Sequence, residues 1–162
     1  MKKIILTAII ICNFFLSGCS KECTSEATEN EKVTVTKDLD IDDVCVSWGM
    51  SVSDVQKTMT EFILSDISDD NTIAYEAKKD GKKRYVIYRF VDSRLYSSIV
   101  ISESIEFPQM LLNYGYSFAK KQEGDYVYYN NKKNVMAVFY RINSEKMSYM
   151  VIGFMPLTQV NN

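Results

Sequence analysis

The amino-acid sequence predicts an α+β fold, in which an antiparallel sheet of about seven strands carries two helices on one face. Short runs of alternating apolar and polar residues are separated by Gly, Asn, Asp and Ser, as expected for strands joined by hairpin turns. Two other segments repeat apolar residues every three to four positions, as amphipathic helices do. Strands joined by short turns must be antiparallel, and helices between runs of strands are typical of a layered α+β domain.

The predicted order is α-β-β-β-α-β-β-β-β, and its first half begins near Val44. Ser51 can cap the first amides of a helix. The apolar face of that helix is formed by Val52, Val55, Met59, Phe62 and Ile63. Strands are then predicted at 72–78, 84–91 and 95–102, with a tight Asp80-Gly81 hairpin between the first two. In the last of these strands, alternation predicts that Leu95, Ile99 and Ile101 share a face.

The second half is predicted to repeat this arrangement. Pro108 is acceptable in the first turn of a helix, and Gly115 is a suitable residue for its C-terminal end. Four strands are predicted after it, at 116–121, 126–130, 135–142 and 147–155. The two halves are alike in arrangement but not in sequence, so an internal duplication is a hypothesis only.

The first residues have the pattern of an export signal. Lys2 and Lys3 precede an apolar run at 4–16, which is shorter than the ~20 residues of a membrane-spanning helix and matches the core of a signal peptide. The sequence Leu-Ser-Gly-Cys at 16–19 resembles the lipobox of bacterial lipoproteins. The resemblance implies cleavage between Gly18 and Cys19 and diacylglycerol on the Cys19 thiol. The alternative is an ordinary signal peptide that happens to contain a cysteine.

The predicted organisation is a signal peptide at 1–18, a lipidated flexible tether at 19–43, one domain at 44–157 and a tail at 158–162. The polar composition of 20–37 is typical of a segment that cannot bury enough surface to fold. The acidic run at 38–43 faintly resembles a calcium loop, but Asp43 and Gly49 stand where an EF-hand has Gly and Glu. We therefore interpret it as a solvated linker.

Composition limits the possible chemistry. Loss of Lys2 and Lys3 with the leader changes the formal net charge from −2 to −4, which argues against nucleic-acid binding and provides no basic patch for anionic lipid. The chain has no histidine, so hydrolases with a histidine base and His-containing zinc sites are excluded, and no cofactor is expected. Cys23 and Cys45 can pair in an oxidising compartment, but the apolar neighbours of Cys45 favour a buried free thiol.

One further resemblance concerns the domain itself. The run Gly-Met-Ser-Val-Ser-Asp-Val at 49–55 enters a helix ahead of antiparallel strands, and Leu-Asn-Tyr-Gly at 112–115 closes a second helix ahead of more strands. This pattern resembles the small outer-membrane assembly lipoproteins of the BamE/SmpA type and the fold of β-lactamase-inhibitor protein. Its length and lipidation also resemble small lipoproteins of Bacteroidetes. The resemblance implies protein binding rather than catalysis, in the cell envelope and most simply at the outer membrane, on its periplasmic side or at the surface.

We therefore expect a non-catalytic binding or scaffold module, attached to the membrane through Cys19, with an envelope protein as its partner. The tyrosines considered for a partner surface are Tyr126, Tyr128 and Tyr129, with Tyr114 and Tyr116. Of these, the expected surface consists of Tyr114, Tyr116, Tyr126 and Tyr128. The alternative for each tyrosine is packing within the sheet. The alternative function is a carboxylate-dependent enzyme acting on envelope or dietary glycans. Its candidate acids are Glu103 and Glu106 beside the second helix, and Asp66, Asp69 and Asp70 in a loop.

Overall fold

The computed structural model describes residues 37–103, 107–122, 124–143 and 148–157. Two α-helices lie in these ranges, α1 (Val52–Thr58) and α2 (Phe107–Asn113). The eight strands are β1 (Ile63–Leu64), β2 (Thr72–Lys79), β3 (Lys82–Val91), β4 (Arg94–Ser102), β5 (Ser117–Gln122), β6 (Asp125–Asn130), β7 (Val135–Asn143) and β8 (Ser148–Pro156). None of the helices in the described ranges is long and apolar enough to cross a bilayer.

The α+β class and the antiparallel sheet are confirmed, and the strand count is corrected from about seven to eight. The added strand is β1, which pairs only Ile63 and Leu64 with β2. It arises because α1 ends at Thr58, one turn earlier than the apolar periodicity predicts. Phe62 is buried beside the helix without belonging to it. The predicted N-cap is confirmed, since the Ser51 side chain accepts a hydrogen bond from the Asp54 amide at 3.3 Å.

The strand order in the sheet is β1-β2-β3-β4-β8-β7-β6-β5. Each half of the chain therefore supplies a helix followed by four strands, and the last strands of the two halves, β4 and β8, pair at the centre. The predicted repetition of the arrangement is present in this order. The Asp80-Gly81 turn is also confirmed, with φ of 50° and 74°, which is the left-handed geometry of a type I′ hairpin.

Both helices lie against the same face of the sheet, which we call the helix-bearing face. Tyr88 donates a hydrogen bond to the Met59 sulfur, 3.2 Å away, at the end of α1. Arg84, on the same face of β3, approaches the Met110 sulfur of α2 at 3.9 Å. The main core forms between this face and the helices, and its fully buried members include Val55, Leu111 and Phe154. Burial of such side chains is the main stabilising contribution to the fold.

The predicted boundary between tether and domain at residue 43 is wrong. Leu39 and Ile41 are buried in the main core, and residues Ile41–Asp43 form a short 3₁₀-helix. The aspartates around them are partnered rather than merely solvated. Asp40 pairs with Lys79 at 2.9 Å, Asp42 with Lys133 at 2.8 Å and Asp43 with Lys37 at 3.1 Å. The folded domain therefore begins by Lys37, and the acidic run is part of it.

Strand β4 contains a second correction. Leu95 pairs with Phe90 on the helix-bearing face, whereas Ile99 pairs with Ile87 on the opposite face. A register shift at Arg89 and Phe90 inserts one additional residue of β4 between the two pairings. A bulge of this kind reverses the alternation along the strand, so Leu95 does not share a face with Ile99 and Ile101.

Candidate functional site

Within the residues that the structure describes, neither α1 nor α2 lies on the opposite face of the sheet, which we call the helix-free face in that sense. This face is the candidate site. Among the described residues, the side-chain hydrogen bonds of α1 and of the segment 38–50 reach the helix-bearing face, turns or neighbouring segments. Those of α2 reach the helix-bearing face or stay within the helix. The helix-free face is nevertheless rich in apolar side chains. Its half-buried members are Tyr85, Ile101, Tyr129, Val138, Tyr140, Ile142, Tyr149 and Met155. Tyrosine and methionine are among the residues that are enriched in protein interfaces.

Strand register arranges these side chains in rows. The central row crosses six strands, because Ala74 pairs with Ile87, Ile87 with Ile99, Ile99 with Gly153, Gly153 with Val138 and Val138 with Val127. All of its members except Gly153 carry an apolar side chain. The row is therefore continuous apart from one position, in the central strand β8.

Gly153 leaves a notch in this row. A Cβ atom placed on it would meet no atom within 4 Å, so the space above this residue is open. Its φ lies outside the left-handed region, so the backbone does not require glycine here. The notch is flanked by Ile99 and Val138, and it is the place where an apolar group from another molecule can enter the row.

Four tyrosines surround the row, namely Tyr85, Tyr129, Tyr140 and Tyr149, and all are half-buried. Tyr85 and Tyr140 are linked across β4 and β8 by the register pairs through Ile101 and Val151. Tyrosine supplies a large rigid contact surface with a polar tip, and it is enriched in protein interfaces. The helix-free face therefore combines an apolar centre with an aromatic surround.

The predicted partner tyrosines lie elsewhere. Tyr126 and Tyr128 face the helix-bearing side, where Tyr128 is buried and Tyr126 is half-buried against Phe139, with ring centroids 5.9 Å apart. Tyr116 is buried against Phe154, with ring centroids 6.0 Å apart. Tyr114 is half-buried, and its pKa is raised by desolvation and by the nearby Asp40 carboxylate. Burial limits the part of this set that a partner can reach to Tyr114 and Tyr126.

Alternation within one strand explains why Tyr129 belongs to the site while its neighbours do not. Tyr126 and Tyr128 are two residues apart and share a face, whereas Tyr129 pairs with Met136 on the opposite face. The alternation of side chains can be read from the sequence. It identifies the correct tyrosines only when it is known which face of each strand the helices cover.

The buried tyrosines give a first testable prediction. Burial raises the pKa of Tyr88 and of Tyr116 well above the ordinary value of about 10. A group whose pKa is raised by folding contributes stability below its unfolded pKa, and that stability is lost as the pH rises further. We expect the free energy of unfolding to fall above about pH 10, and Tyr116→Phe to make that fall less steep.

Absorbance at 295 nm against pH, combined with urea unfolding at each pH, measures this effect. The 11 tyrosines should titrate in two groups, with the second ionising only as the protein unfolds. A single titration of all of them near pH 10 in the folded protein would contradict the burial described above.

The lipidation and cleavage residues, Cys19 and Gly18, lie outside the described residues, as does Cys23. Cys45 was expected to be buried, but its thiol is half-exposed and lies 2.8 Å from the Thr58 hydroxyl. The chain at this point follows the surface of the core rather than entering it. The Cys45 amide donates to the buried Tyr88 hydroxyl at 3.2 Å. The pairing of Cys23 with Cys45 stays open.

The acids considered for catalysis are dispersed. Asp66, Asp69 and Asp70 are exposed in the loop before β2, where Asp69 accepts a hydrogen bond from the Asn71 amide at 2.8 Å. Glu106 lies outside the described residues, so its distance from Glu103 is not defined. Among the residues that the structure describes, no group of three or more Cys, Asp or Glu side chains is arranged to hold a metal ion.

Comparison of the chain with protein-family models, with curated proteins and with solved structures finds no match in any of the three. The class of protein is therefore defined by the architecture alone. It is a two-layer α+β domain with both helices on one face of an eight-stranded antiparallel sheet, and with an apolar, tyrosine-rich second face.

Proposed function

We propose that this chain is a lipid-anchored lipoprotein of the cell envelope that acts as a non-catalytic protein-binding module, and that its partner docks on the helix-free face. The observation that carries the proposal is the central apolar row with its open notch at Gly153. Four members of this row are already buried, namely Ala74, Ile87, Ile99 and Val127. A partner therefore gains free energy by removing from water the half-buried side chains beside them, such as Val138 and Met155. The proposed partner is another envelope protein that presents an apolar side chain to the notch.

The rigidity of the platform supports a binding role. The six strands of the central row all lie inside the sheet, so each of them pairs with a neighbouring strand on both sides. A surface that is already ordered loses little conformational entropy on binding, so more of its contact free energy appears as affinity. The surrounding tyrosines have few rotatable bonds and contribute to the same effect.

The proposed anchor places this face within reach of membrane proteins. Lys37 follows Cys19 by 18 residue steps, and a fully extended chain of that length spans at most about 65 Å. Diacylglycerol on Cys19 supplies two acyl chains, which is the number needed for stable rather than marginal attachment. A partner in or near the same membrane, proposed here to be the outer membrane, is then held at a high effective concentration.

Site-specific photo-crosslinking in cells tests the docking surface. A benzophenone side chain at Val138, which flanks the notch, is expected to form a discrete adduct with the partner. The matched control carries the same group at Leu112, which is 46% exposed on α2 and thus belongs to the other layer of the molecule. No adduct of comparable yield is expected there.

A second substitution makes the crosslinking result specific. Gly153→Phe fills the notch from within the chain, at a position where an added Cβ atom meets no other atom within 4 Å, and should abolish the Val138 adduct. The free energy of unfolding should stay within about 1 kcal/mol of the wild-type value, since a strand accommodates an aromatic side chain well. Equal adducts at Val138 with and without the Gly153→Phe substitution would reject the helix-free face as the docking surface.

A further inference from the structure

A groove of about 760 Å³ lies on the other side of the molecule, between the segment 42–50, the end of α1 and the β6–β7 turn. We call it the Trp48 groove, because its largest lining side chain is Trp48, the one tryptophan of the sequence. Its volume is within the 300–1,000 Å³ that is typical of small-molecule sites. It shares no lining residue with the helix-free face, and so it is independent of the proposed function.

The tryptophan is held in a fixed position. Its indole Nε1–H donates to the Asn134 carbonyl at 3.2 Å. Asn134 has φ of 54°, a left-handed conformation that asparagine tolerates, and this turn directs its carbonyl towards the indole. Val46 and Met50 line the same groove and are half-buried. One wall is therefore apolar and preorganised.

The polar wall has paired charges. Asp42 binds Lys133 at 2.8 Å, and Asp43 binds Lys37 at 3.1 Å, so each carboxylate already has a cation beside it. Asp43 also accepts a hydrogen bond from the Asp40 amide at 2.8 Å. A carboxylate has about four acceptor positions, so both aspartates keep positions for hydroxyl donors.

Ser47 and Thr58 also line the groove. The Thr58 hydroxyl already donates to the Val55 carbonyl at 2.8 Å, so it can only accept from a ligand. The groove therefore offers hydrogen-bonding groups whose charges are already paired, so a ligand needs no charge to bind there.

From this arrangement we propose that the Trp48 groove binds a neutral saccharide. A sugar ring has an apolar C–H face that can lie on the indole, and a rim of hydroxyls that both donate and accept hydrogen bonds. A purely apolar ligand would displace water from the acceptor positions that the lysines leave open and would offer no hydrogen bond in return, which costs free energy. A charged ligand would have to compete with Lys133 for Asp42, or with Asp42 for Lys133. The neutral saccharide alone matches both walls.

Intrinsic fluorescence tests the proposal directly, because Trp48 is the one tryptophan of the sequence and all tryptophan emission therefore reports on the groove. The chain from residue 20 to 162 is suitable for the titration, because residues 33–162 form a compact unit and every residue of the main core lies between 39 and 154. Glucose, galactose, N-acetylglucosamine and their β-linked disaccharides are titrated. We expect at least one to change Trp48 emission saturably, with a Kd of about 1 mM.

Two variants show whether the change comes from the groove, with binding followed through ligand NMR signals. Trp48→Ala should weaken binding at least ~10-fold, the loss expected when one principal contact is removed. Asn134 also lines the groove. Asn134→Gly suits the left-handed backbone, keeps the carbonyl that holds the indole and removes the side-chain amide, so it should weaken binding several-fold while preserving the fold. Its matched control is Asp92→Gly, the same kind of change at another left-handed turn position, φ 49°, which should bind as the wild type does.

Three outcomes would overturn the proposal. The first is the absence of a saturable emission change with every neutral saccharide up to tens of millimolar. The second is an unchanged affinity in Trp48→Ala. The third is binding confined to charged sugars or to peptides, which would assign the groove to a different class of ligand.

Discussion

Replacing Arg84 with alanine is expected to lower the free energy of unfolding by about 3–5 kcal/mol, because buried acceptors lose their donor and a cavity is left behind. Arg84 is only 1% exposed, and it connects three parts of the molecule. Its Nη1 donates to the Leu39 carbonyl at 2.7 Å, and its Nε donates to the Ser102 hydroxyl at 3.3 Å. Alanine would leave these acceptors without their donor and would also leave a cavity.

Urea unfolding followed by circular dichroism measures this loss. Arg84→Met keeps most of the side-chain volume, so it separates the two causes and should lose about 1–3 kcal/mol for the unsatisfied acceptors alone. Arg141→Ala, at an exposed position of β7, is the control and should change stability by no more than about 0.5 kcal/mol. An Arg84→Ala variant within about 1 kcal/mol of the wild type would contradict this account of the core.

Replacing Cys19 with alanine is expected to abolish stable membrane attachment. The proposed anchor depends on the thiol, since the diacylglycerol is attached to that sulfur and cleavage follows the attachment. None of the helices in the described part of the chain can replace it. We therefore expect wild-type protein to pellet with membranes and to resist extraction by 1 M salt, an ionic strength that screens charge interactions.

The variant should accumulate uncleaved or in the soluble fraction, and it should take up no labelled palmitate. Cys45→Ala is the matched control, because it removes a thiol within the folded domain and leaves the proposed lipobox intact. That control should fractionate and label as the wild type does. Normal palmitate labelling of Cys19→Ala would reject the proposed attachment site.

Much of the fold follows from local sequence patterns. The strands from β2 to β8 lie within two residues of their predicted ends at each terminus, because alternation and turn residues such as Asp80-Gly81 specify them locally. The Ser51 cap is likewise a local signal. These features require no knowledge of distant residues, and this is the reason that the sequence alone identifies them.

The parts that were not predicted depend on distant residues. Leu39 and Ile41 stand between aspartates and resemble a linker, until their burial and the pairing of Asp42 with Lys133 are known. The bulge that reverses the face of Leu95 depends on its pairing with β3. Neither the burial of Leu39 and Ile41 nor the bulge in β4 produces a periodic pattern in the local sequence.

For the candidate site, the sequence predicts the residue type but not the members. Tyrosines on a sheet were the correct residue type, but the expected set included Tyr116 and Tyr128, which are core residues. The distinguishing information is the phase of each strand relative to the helices, which is set by tertiary packing. The Gly153 notch was not predicted, because a glycine in a strand has meaning only once its neighbours across the sheet are known.

The most direct test of the central proposal, a lipid-anchored module, is mass spectrometry of the amino-terminal peptide of the protein extracted from membranes. We expect a chain that starts at Cys19 and carries the added mass of a diacylglyceryl group on that residue, with or without an acyl group on its amine. A membrane-extracted chain that starts at Met1, or one that starts beyond Cys19, would contradict the proposal.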